Sequence, residues 1–200
     1  FLPFQGCPGH CIYCNQALQT STESDTLETY YHNLRAELEK AYKKKTQALE
    51  LGFFGGTFTA LPDDWPVHFL DLVQSFRKKG LINKIRCSTR PDSINVAGLK
   101  ALRKHGLDIV ELGVQSFADK VLLASARGYN HKQIIQASNQ IKNTGLGLGL
   151  QLLPGLPGHN FNLWQEDIQQ TCLLNPDVVR IYPCLVLKAT GLAKLWEKGH

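Results

Sequence analysis

Three cysteines are crowded into one short stretch near the start of the chain, Cys7-Pro8-Gly9-His10-Cys11-Ile12-Tyr13-Cys14. Pro8 and Gly9 disfavour a helix, so the C-x3-C-x2-C spacing predicts a loop that turns its thiols toward a common point. Three thiols cannot all pair with one another as disulfides. Thiolates are soft ligands that suit zinc, Cu(I) or an iron–sulfur cluster, and the spacing therefore predicts a metal site.

The number of ligands separates the candidate metals. A structural zinc site takes four protein ligands, but no second C-x2-C or H-x3-H pair follows in the sequence. His10 lies between two of the cysteines and would close a tetrahedron only under strain. A [4Fe–4S] cube held by three cysteines keeps one iron free of protein ligands, where it can bind a substrate. We therefore predict a [4Fe–4S] cluster. A non-catalytic electron-transfer module, which needs a fourth ligand, and a zinc-binding module are the alternatives.

Two further motifs have residue types that suit the binding of a small molecule. Gly55-Gly56-Thr57 follows an apolar run, and paired glycines allow close approach to a backbone whose carbonyls can accept hydrogen bonds from an ammonium group. A tight turn without a ligand explains the same pair. Gln115 ends another apolar run, and it is either a ligand contact or a buried amide satisfied by the backbone.

The order of apolar and helical segments predicts the elements that position these residues. Six short apolar runs indicate buried strands, at Phe1–Phe4, Leu49–Phe54, Ile82–Ser88, Ile109–Val114, Leu146–Leu153 and Val178–Leu187. Helical spacing is found at residues 26–48, 63–79, 93–105, 118–143 with a break near Gly128, 161–174 and 190–198. This alternation predicts an α/β fold with parallel strands, and six similar units favour a three-quarter TIM-type barrel, (β/α)6. The motifs follow strands, as functional loops do in such folds.

Composition excludes several classes of protein. Of the 200 residues, 43% are hydrophobic and 20% are charged, which is not typical of a disordered or collagen-like chain. No apolar run approaches the roughly 20 residues that cross a bilayer, so no membrane partner is expected. With no linker or low-complexity tract, residues 1–200 are expected to form one domain, cut from a longer protein since the chain begins at Phe1. Six cysteines are too few for a disulfide scaffold, and their clustering favours a reducing, cytoplasmic setting.

Six motifs, taken in their order along the whole chain, resemble those of a known family. They are Cys7–Cys14, Phe53–Pro62, Ser88–Asp92, Glu111–Ser116, Pro154–Gly158 and Arg180–Leu192. Together they resemble those of the radical S-adenosylmethionine (SAM) enzymes, and in particular the Elp3-like bacterial branch. The resemblance implies a (β/α)6 barrel, a [4Fe–4S] cluster, SAM and an external one-electron reductant. In that family the reduced cluster cleaves SAM to methionine and a 5′-deoxyadenosyl radical, which abstracts hydrogen from the substrate.

The resemblance implies a role for each of ten residues, none of them a catalytic acid or base. Cys7, Cys11 and Cys14 are the implied cluster ligands, and Tyr13 lies along the adenine of SAM. The residues implied to bind SAM elsewhere are Gly55, Gly56, Thr57, Gln115, Arg127 for the carboxylate and Gln151 for the ribose. Arg90 departs from relatives with an acidic residue near this point, and as a cation it could meet a phosphate or carboxylate of the substrate.

The resemblance constrains the substrate less than the cofactors. Elp3 modifies the wobble uridine of tRNA with an acetyltransferase-like domain, which is not expected within these 200 residues, so at most the radical half of that reaction is implied. A small molecule such as a tetrapyrrole is the alternative substrate. The net charge of +5 permits contact with RNA, but Lys43–Lys45 and Arg77–Lys79 end helices, where they complement the helix dipole at the opposite end of the barrel from the cysteines. Any tRNA is therefore expected to bind mainly through regions outside this segment.

Overall fold

The chain forms one parallel β-sheet with helices between consecutive strands. The structure, a computed structural model, describes residues 2–9, 11–16 and 25–199. The strands of the described sheet are β1 (Leu49–Phe53), β2 (Ile82–Thr89), β3 (Ile109–Gln115), β4 (Gly147–Leu152) and β5 (Val178–Ile181). They lie side by side in chain order and every neighbouring pair is parallel. The sheet curls into a half-barrel, and the prediction of an α/β fold with parallel strands is confirmed.

Seven α-helices in the described residues cover the sheet or connect its strands, and two short 3-10 helices, Phe58–Ala60 and Pro91–Ser93, follow β1 and β2. The α-helices are α1 (Leu27–Lys43), α2 (Trp65–Arg77), α3 (Val96–Lys104), α4 (Asp119–Ala124), α5 (His131–Asn143), α6 (Phe161–Leu174) and α7 (Gly191–Glu197). The side chains of Asn130 and Asn160 start α5 and α6 by accepting hydrogen bonds from backbone N–H groups of the first turn. The predicted break near Gly128 is present, since α4 ends at Ala124 and Gly128 has a φ of 78°. In this described part of the chain, no helix combines the length and apolarity needed to span a membrane.

The first predicted strand is wrong over the residues that the structure describes. Residues 3–6 form a turn, with positive φ at Phe4 (55°) and Gly6 (73°). Pro3 has no N–H to donate to a sheet, which favours the turn over a strand. Leu2 keeps one contact with the sheet, because its N–H donates to Phe54 O at 2.7 Å. The described sheet therefore has five strands where the sequence predicted six.

The core lies between the sheet and the helices. All seven residues of β3 are buried, as expected for a central parallel strand that is covered on both faces. The main apolar cluster joins Leu70 and Ile85 to Leu112 and Leu150, all of them fully buried. The three clustered cysteines are not among its residues. The cysteine loop is therefore packed onto the sheet from outside the main core.

Candidate functional site

A cavity of about 590 Å³ opens at the carboxyl ends of the strands. Its walls come from the cysteine loop, from the turn after β1 and from the ends of β2 to β5, because parallel strands present their carboxyl ends at one edge. All ten predicted site residues line it: Cys7, Cys11, Tyr13, Cys14, Gly55, Gly56, Thr57, Gln115, Arg127 and Gln151. A smaller cavity of about 130 Å³, between α2 and α3, includes none of them.

The three clustered cysteines share one side of the cavity. Cys11 is buried, whereas Cys7 and Cys14 are half-buried. Burial, together with the neighbouring thiols of Cys11 and Cys7, raises the pKa of Cys14 to about 11. The three sulfur atoms are thus close enough to interact electrostatically. Partly desolvated thiols of this kind suit a soft, positively charged metal group, which deprotonates its thiol ligands when it binds.

The donor types at the cavity suit a [4Fe–4S] cluster. Cys7, Cys11 and Cys14 all line it, and thiolates are the ligands by which proteins hold such clusters, each thiolate binding a different iron. A structural zinc site takes four protein ligands. Within residues 2–9, 11–16 and 25–199, no group of three or more histidine, cysteine or acidic side chains is placed to hold one metal ion. His10 lies outside the described residues.

Close backbone contacts hold the cysteine loop against the turn after β1. The Thr57 N–H donates to Gln5 O at 2.8 Å. A Cβ atom at Gly56 would lie 2.0 Å from Gln5 O, and one at Gly6 would lie 2.4 Å from Thr57 O. Both positions therefore require glycine. The glycine that the sequence predicted for a ligand contact thus also determines where Cys7 lies.

Arg127 is buried in the cavity wall beside the second cysteine. Its Nη1 donates to Cys11 Sγ at 3.0 Å and to the Tyr13 hydroxyl at 2.9 Å. Its Nη2 donates to Gly113 O at 2.6 Å, and its Nε to the Tyr129 hydroxyl at 2.6 Å. Burial by itself lowers the pKa of Arg127, but the nearby Tyr129, Tyr13 and Cys11 outweigh that effect and raise it. The site therefore holds a permanent positive charge next to the cysteine loop.

Arg90, for which the sequence suggested a substrate phosphate or carboxylate, is bound by groups of the protein itself. Its Nε and Nη2 donate to the two carboxylate oxygens of Asp92 at 2.9 and 2.7 Å, and Nη2 also donates to Arg127 O. The guanidinium carbons of Arg90 and Arg127 lie 5.3 and 4.9 Å from the centre of the Tyr129 ring, within cation–π range. Arg90 lines the cavity, but its contacts fix the backbone of Arg127.

Gln151 lines the cavity, and a buried carboxylate behind it fixes the orientation of its amide. Glu111 of β3 is completely buried, with Arg180 Nε 2.8 Å and Arg86 Nε 3.4 Å from its oxygens. Gln151 Nε2 donates to Glu111 Oε2 at 3.1 Å. Because a carboxylate only accepts hydrogen bonds, this contact directs the amide nitrogen of Gln151 to Glu111. The amide oxygen of Gln151 is left to accept a hydrogen bond from a ligand.

Gln115 has an uncommon backbone conformation, and a carboxylate of α6 anchors the residues that follow it. Its φ is 69°, in the left-handed region that residues other than glycine rarely adopt. Asp167 anchors the two residues that follow, because its Oδ1 accepts from Phe117 N–H at 2.7 Å and from Ser116 Oγ at 3.1 Å. Burial raises the pKa of Asp167, while these hydrogen bonds and the nearby His159 oppose the shift. α6 thereby fixes the end of β3.

Residues 1–171 match the profile of the Radical SAM superfamily. The chain belongs to that superfamily. Two solved structures support the radical SAM fold. Elp3 of the archaeon Methanocaldococcus infernus, with an N-terminal deletion, aligns with a TM-score of 0.71 at 30% identity, over 84% of this chain and 45% of that one. Coproporphyrinogen III oxidase (HemN) of Escherichia coli aligns with a TM-score of 0.70 at 22% identity, over 92% and 43%, and shows the shared fold alone. The half-barrel is thus a partial TIM-type barrel, as predicted.

Curated relatives of this radical SAM chain include longer proteins. The tRNA uridine(34) acetyltransferase of Methanocaldococcus infernus is 31% identical over 97% of this chain and 44% of its own length. Elongator complex protein 3 of Homo sapiens is 27% identical over 83% of this chain and 34% of its own length. The predicted resemblance to Elp3-like proteins is confirmed. The chain spans less than half the length of these two relatives.

Two buried acids that support residues of the cavity wall were missed by sequence reasoning. Glu111 has a recognisable signal, because a single acid within the apolar run Ile109–Val114 must find a partner once it is buried. Asp167 has no such signal, since an acid on an amphipathic helix is usually solvated. Its partners Ser116 and Phe117 are remote in sequence, so only the fold brings the three together.

Proposed function

We propose that this chain is the catalytic core of a radical SAM enzyme, with a [4Fe–4S] cluster held by Cys7, Cys11 and Cys14. The observation that carries the proposal is the convergence of all the predicted ligands on one cavity. A cluster bound there, reduced by an external one-electron donor, supplies the electron that cleaves SAM to methionine and a 5′-deoxyadenosyl radical. Three thiolate ligands of this kind favour a reducing, cytoplasmic setting.

The amino acid end of SAM is assigned to the side of the cavity nearest the cysteines. The Gly55 and Gly56 carbonyls already accept from Gln16 Nε2 and Ser88 Oγ, and in this proposal their second lone pairs accept hydrogen bonds from its ammonium group. Arg127 donates to its carboxylate, and the contact of this guanidinium with Cys11 supports the assignment, because the carboxylate and the cysteine approach the same cluster. The two groups thus orient SAM for electron transfer.

The nucleoside end of SAM is assigned to the part of the cavity wall that Tyr13, Gln115 and Gln151 line. Tyr13 packs against the small apolar cluster of Val121, Leu153 and Leu156, which supports a role beside the adenine ring. Gln151 accepts a hydrogen bond from the ribose through its amide oxygen, whose orientation follows from the contact with Glu111. Gln115 contacts SAM from the end of β3.

A uridine of tRNA is the substrate class that we propose. Its support is the similarity to the tRNA uridine(34) acetyltransferase of Methanocaldococcus infernus and to human Elongator complex protein 3. This chain spans less than half of either relative, so we assign it the radical step and assign most phosphate contacts to other regions of the parent protein.

Cluster assembly tests the metal ligands. After anaerobic reconstitution with iron and sulfide, the unsubstituted protein is expected to hold about four iron atoms. Cys7→Ala, Cys11→Ala and Cys14→Ala should each lose most of that iron, because each removes the ligand of one iron atom. Cys172→Ala is the matched control, since Cys172 is exposed on α6 and is not part of the cavity wall. Full iron content in Cys11→Ala, or a colourless protein with stoichiometric zinc, would contradict the proposal.

Formation of 5′-deoxyadenosine tests the activity and the substrate class. Reconstituted and reduced protein is incubated with SAM, with and without tRNA, and the product is measured by liquid chromatography. Stimulation by tRNA is the expected result. Stimulation by a tetrapyrrole alone would replace tRNA with a small molecule. No product at full iron content would indicate a non-catalytic iron–sulfur module.

A further inference from the structure

The hydroxyl of Thr57 faces a cysteine. Thr57 Oγ1 lies 3.2 Å from Cys7 Sγ, a hydrogen-bond contact across two segments far apart in sequence. Thr57 is buried, with 1% of its surface exposed. The family resemblance implied that Thr57 serves SAM, whereas the structure directs its hydroxyl to the sulfur of a predicted cluster ligand.

We propose that Thr57 is a positioning residue for the cluster: its hydroxyl donates to the Cys7 sulfur, fixes the direction of that ligand and makes the cluster easier to reduce. The inference rests on the proposed function, in which Cys7 binds the cluster. A metal-bound cysteine sulfur carries no proton, so the threonine hydroxyl is the donor of the pair.

The backbone around Thr57 determines this contact. The Thr57 N–H donates to Gln5 O at 2.8 Å, and its carbonyl accepts from Ala60 N–H at 2.9 Å. The close approaches at Gly56 and Gly6 press the two turns together on either side. A β-branched side chain is also restricted at χ1. The hydroxyl is therefore held toward Cys7 by the fold and not by a flexible side chain.

The hydrogen bond from Thr57 affects the reduction of the proposed cluster because reduction changes the charge on the cluster. A one-electron reduction adds negative charge to the cluster and its sulfurs, and a hydrogen-bond donor stabilises the reduced state more than the oxidised state. Arg127 gives a comparable contact to Cys11, but in the proposed function that guanidinium also binds SAM. The Thr57 hydroxyl, which the resemblance assigned to SAM, is thereby assigned to Cys7 Sγ instead, 3.2 Å away.

Two substitutions of Thr57 separate the hydroxyl from the shape of the side chain. Thr57→Val removes the donor and keeps the branching, whereas Thr57→Ser keeps the donor. The reduction potential of the reconstituted cluster is measured by a redox titration followed by electron paramagnetic resonance. In Thr57→Val we expect the ratio of reduced to oxidised cluster at a fixed potential to fall about tenfold, which is 59 mV for a one-electron couple. Thr57→Ser should restore the original potential.

The outcomes distinguish this inference from the proposed function. Equal potentials for Thr57→Val and the unsubstituted protein, at equal iron content, would overturn the inference and leave the proposed function intact. If Thr57→Val does not retain its cluster, the iron content of Thr57→Ser is the deciding measurement. Full iron content in Thr57→Ser would support the role of the hydroxyl. Loss of iron in both variants would overturn that role. An unsubstituted protein that binds no iron would overturn both proposals.

Discussion

The residues of the cavity are connected by contacts that their spacing in the sequence does not indicate. The cysteines and the glycine pair could be predicted, because a crowded set of thiols and a Gly-Gly turn are unusual enough to indicate chemistry. The arrangement of Arg90 against Tyr129 and Arg127 could not. It depends on where β2 and the segment after α4 meet, which local patterns do not determine.

Arg127→Lys tests the assigned carboxylate contact at the level of one side chain. Lysine keeps the positive charge but cannot make the contacts with Tyr129, Gly113 and Tyr13 that hold the remaining donor of Arg127 in place, so the affinity for SAM should fall about tenfold or more. Equilibrium dialysis of the reconstituted protein with SAM measures the change, and the iron content should remain that of the unsubstituted protein. Arg35→Lys is the control, because Arg35 is exposed on α1 and pairs with Glu39. Unchanged affinity in Arg127→Lys would remove Arg127 from the SAM site.

Among the secondary-structure elements, α6 does more than cover the sheet. Its Asp167 anchors the segment after β3, and His159 connects it to the loop after β4. His159 Nδ1 accepts from Gly155 N–H at 3.0 Å, and its Nε2 lies 3.2 Å from Asp167 Oδ2. The loops that follow the strands of Gln115 and Gln151 are thus joined through one buried carboxylate.

Asp167→Ala should destabilise the protein markedly. It leaves Phe117 N–H and the Ser116 hydroxyl buried without their acceptor, and we expect the free energy of unfolding to fall by about 2–4 kcal/mol. Urea denaturation followed by circular dichroism measures it. Glu166→Ala is the matched control, since Glu166 is the exposed neighbour on the same helix, and it should change stability by no more than about 0.5 kcal/mol. Equal midpoints for the two variants would show that Asp167 is not an anchor.

The helices and strands with the clearest periodicity in the sequence are the ones whose bounds were predicted most accurately. The segment 161–174 is predicted to the residue from its helical period, and in the structure the Asn160 side chain caps its first turn. The predicted strand at Val178–Leu187 is too long, since β5 ends at Ile181, shortly before Pro183. The strand predicted at Phe1–Phe4 fails because a short apolar run fits a buried turn as well as a strand.

At the scale of the whole molecule, several basic side chains lie where helices end, at the opposite end of the barrel from the cavity. Arg77, in the last turn of α2, donates to Gly106 O and to Asp108, just before β3. Lys142, in the last turn of α5, donates to Leu174 O, at the end of α6 and before β5. Arg77 is one of the cations that the sequence placed at a helix end, where it complements the helix dipole. The positive net charge is therefore weak support for an RNA surface at that end.

Replacing Lys43, Lys44 and Lys45 together by glutamine tests that interpretation. We expect formation of 5′-deoxyadenosine in the presence of tRNA to stay within about twofold of the unsubstituted protein, and the salt dependence of tRNA binding to stay the same. If the lysines contacted phosphates instead, each lost contact would reduce the slope of log affinity against log salt by about 0.7–0.9. A clear reduction in the slope of log affinity against log salt would therefore place tRNA at the end of the barrel opposite the cavity.

The cysteine loop lies outside the main apolar cluster, and this position affects how the fold responds to oxidative damage at the cysteines. Oxygen destroys exposed iron–sulfur groups, and a fold built around its metal would collapse with each loss. Here the sheet is stabilised by its own packed side chains, so loss of the proposed cluster is expected to leave the barrel folded. The proposed cluster could then be rebuilt from iron and sulfide without resynthesis of the polypeptide.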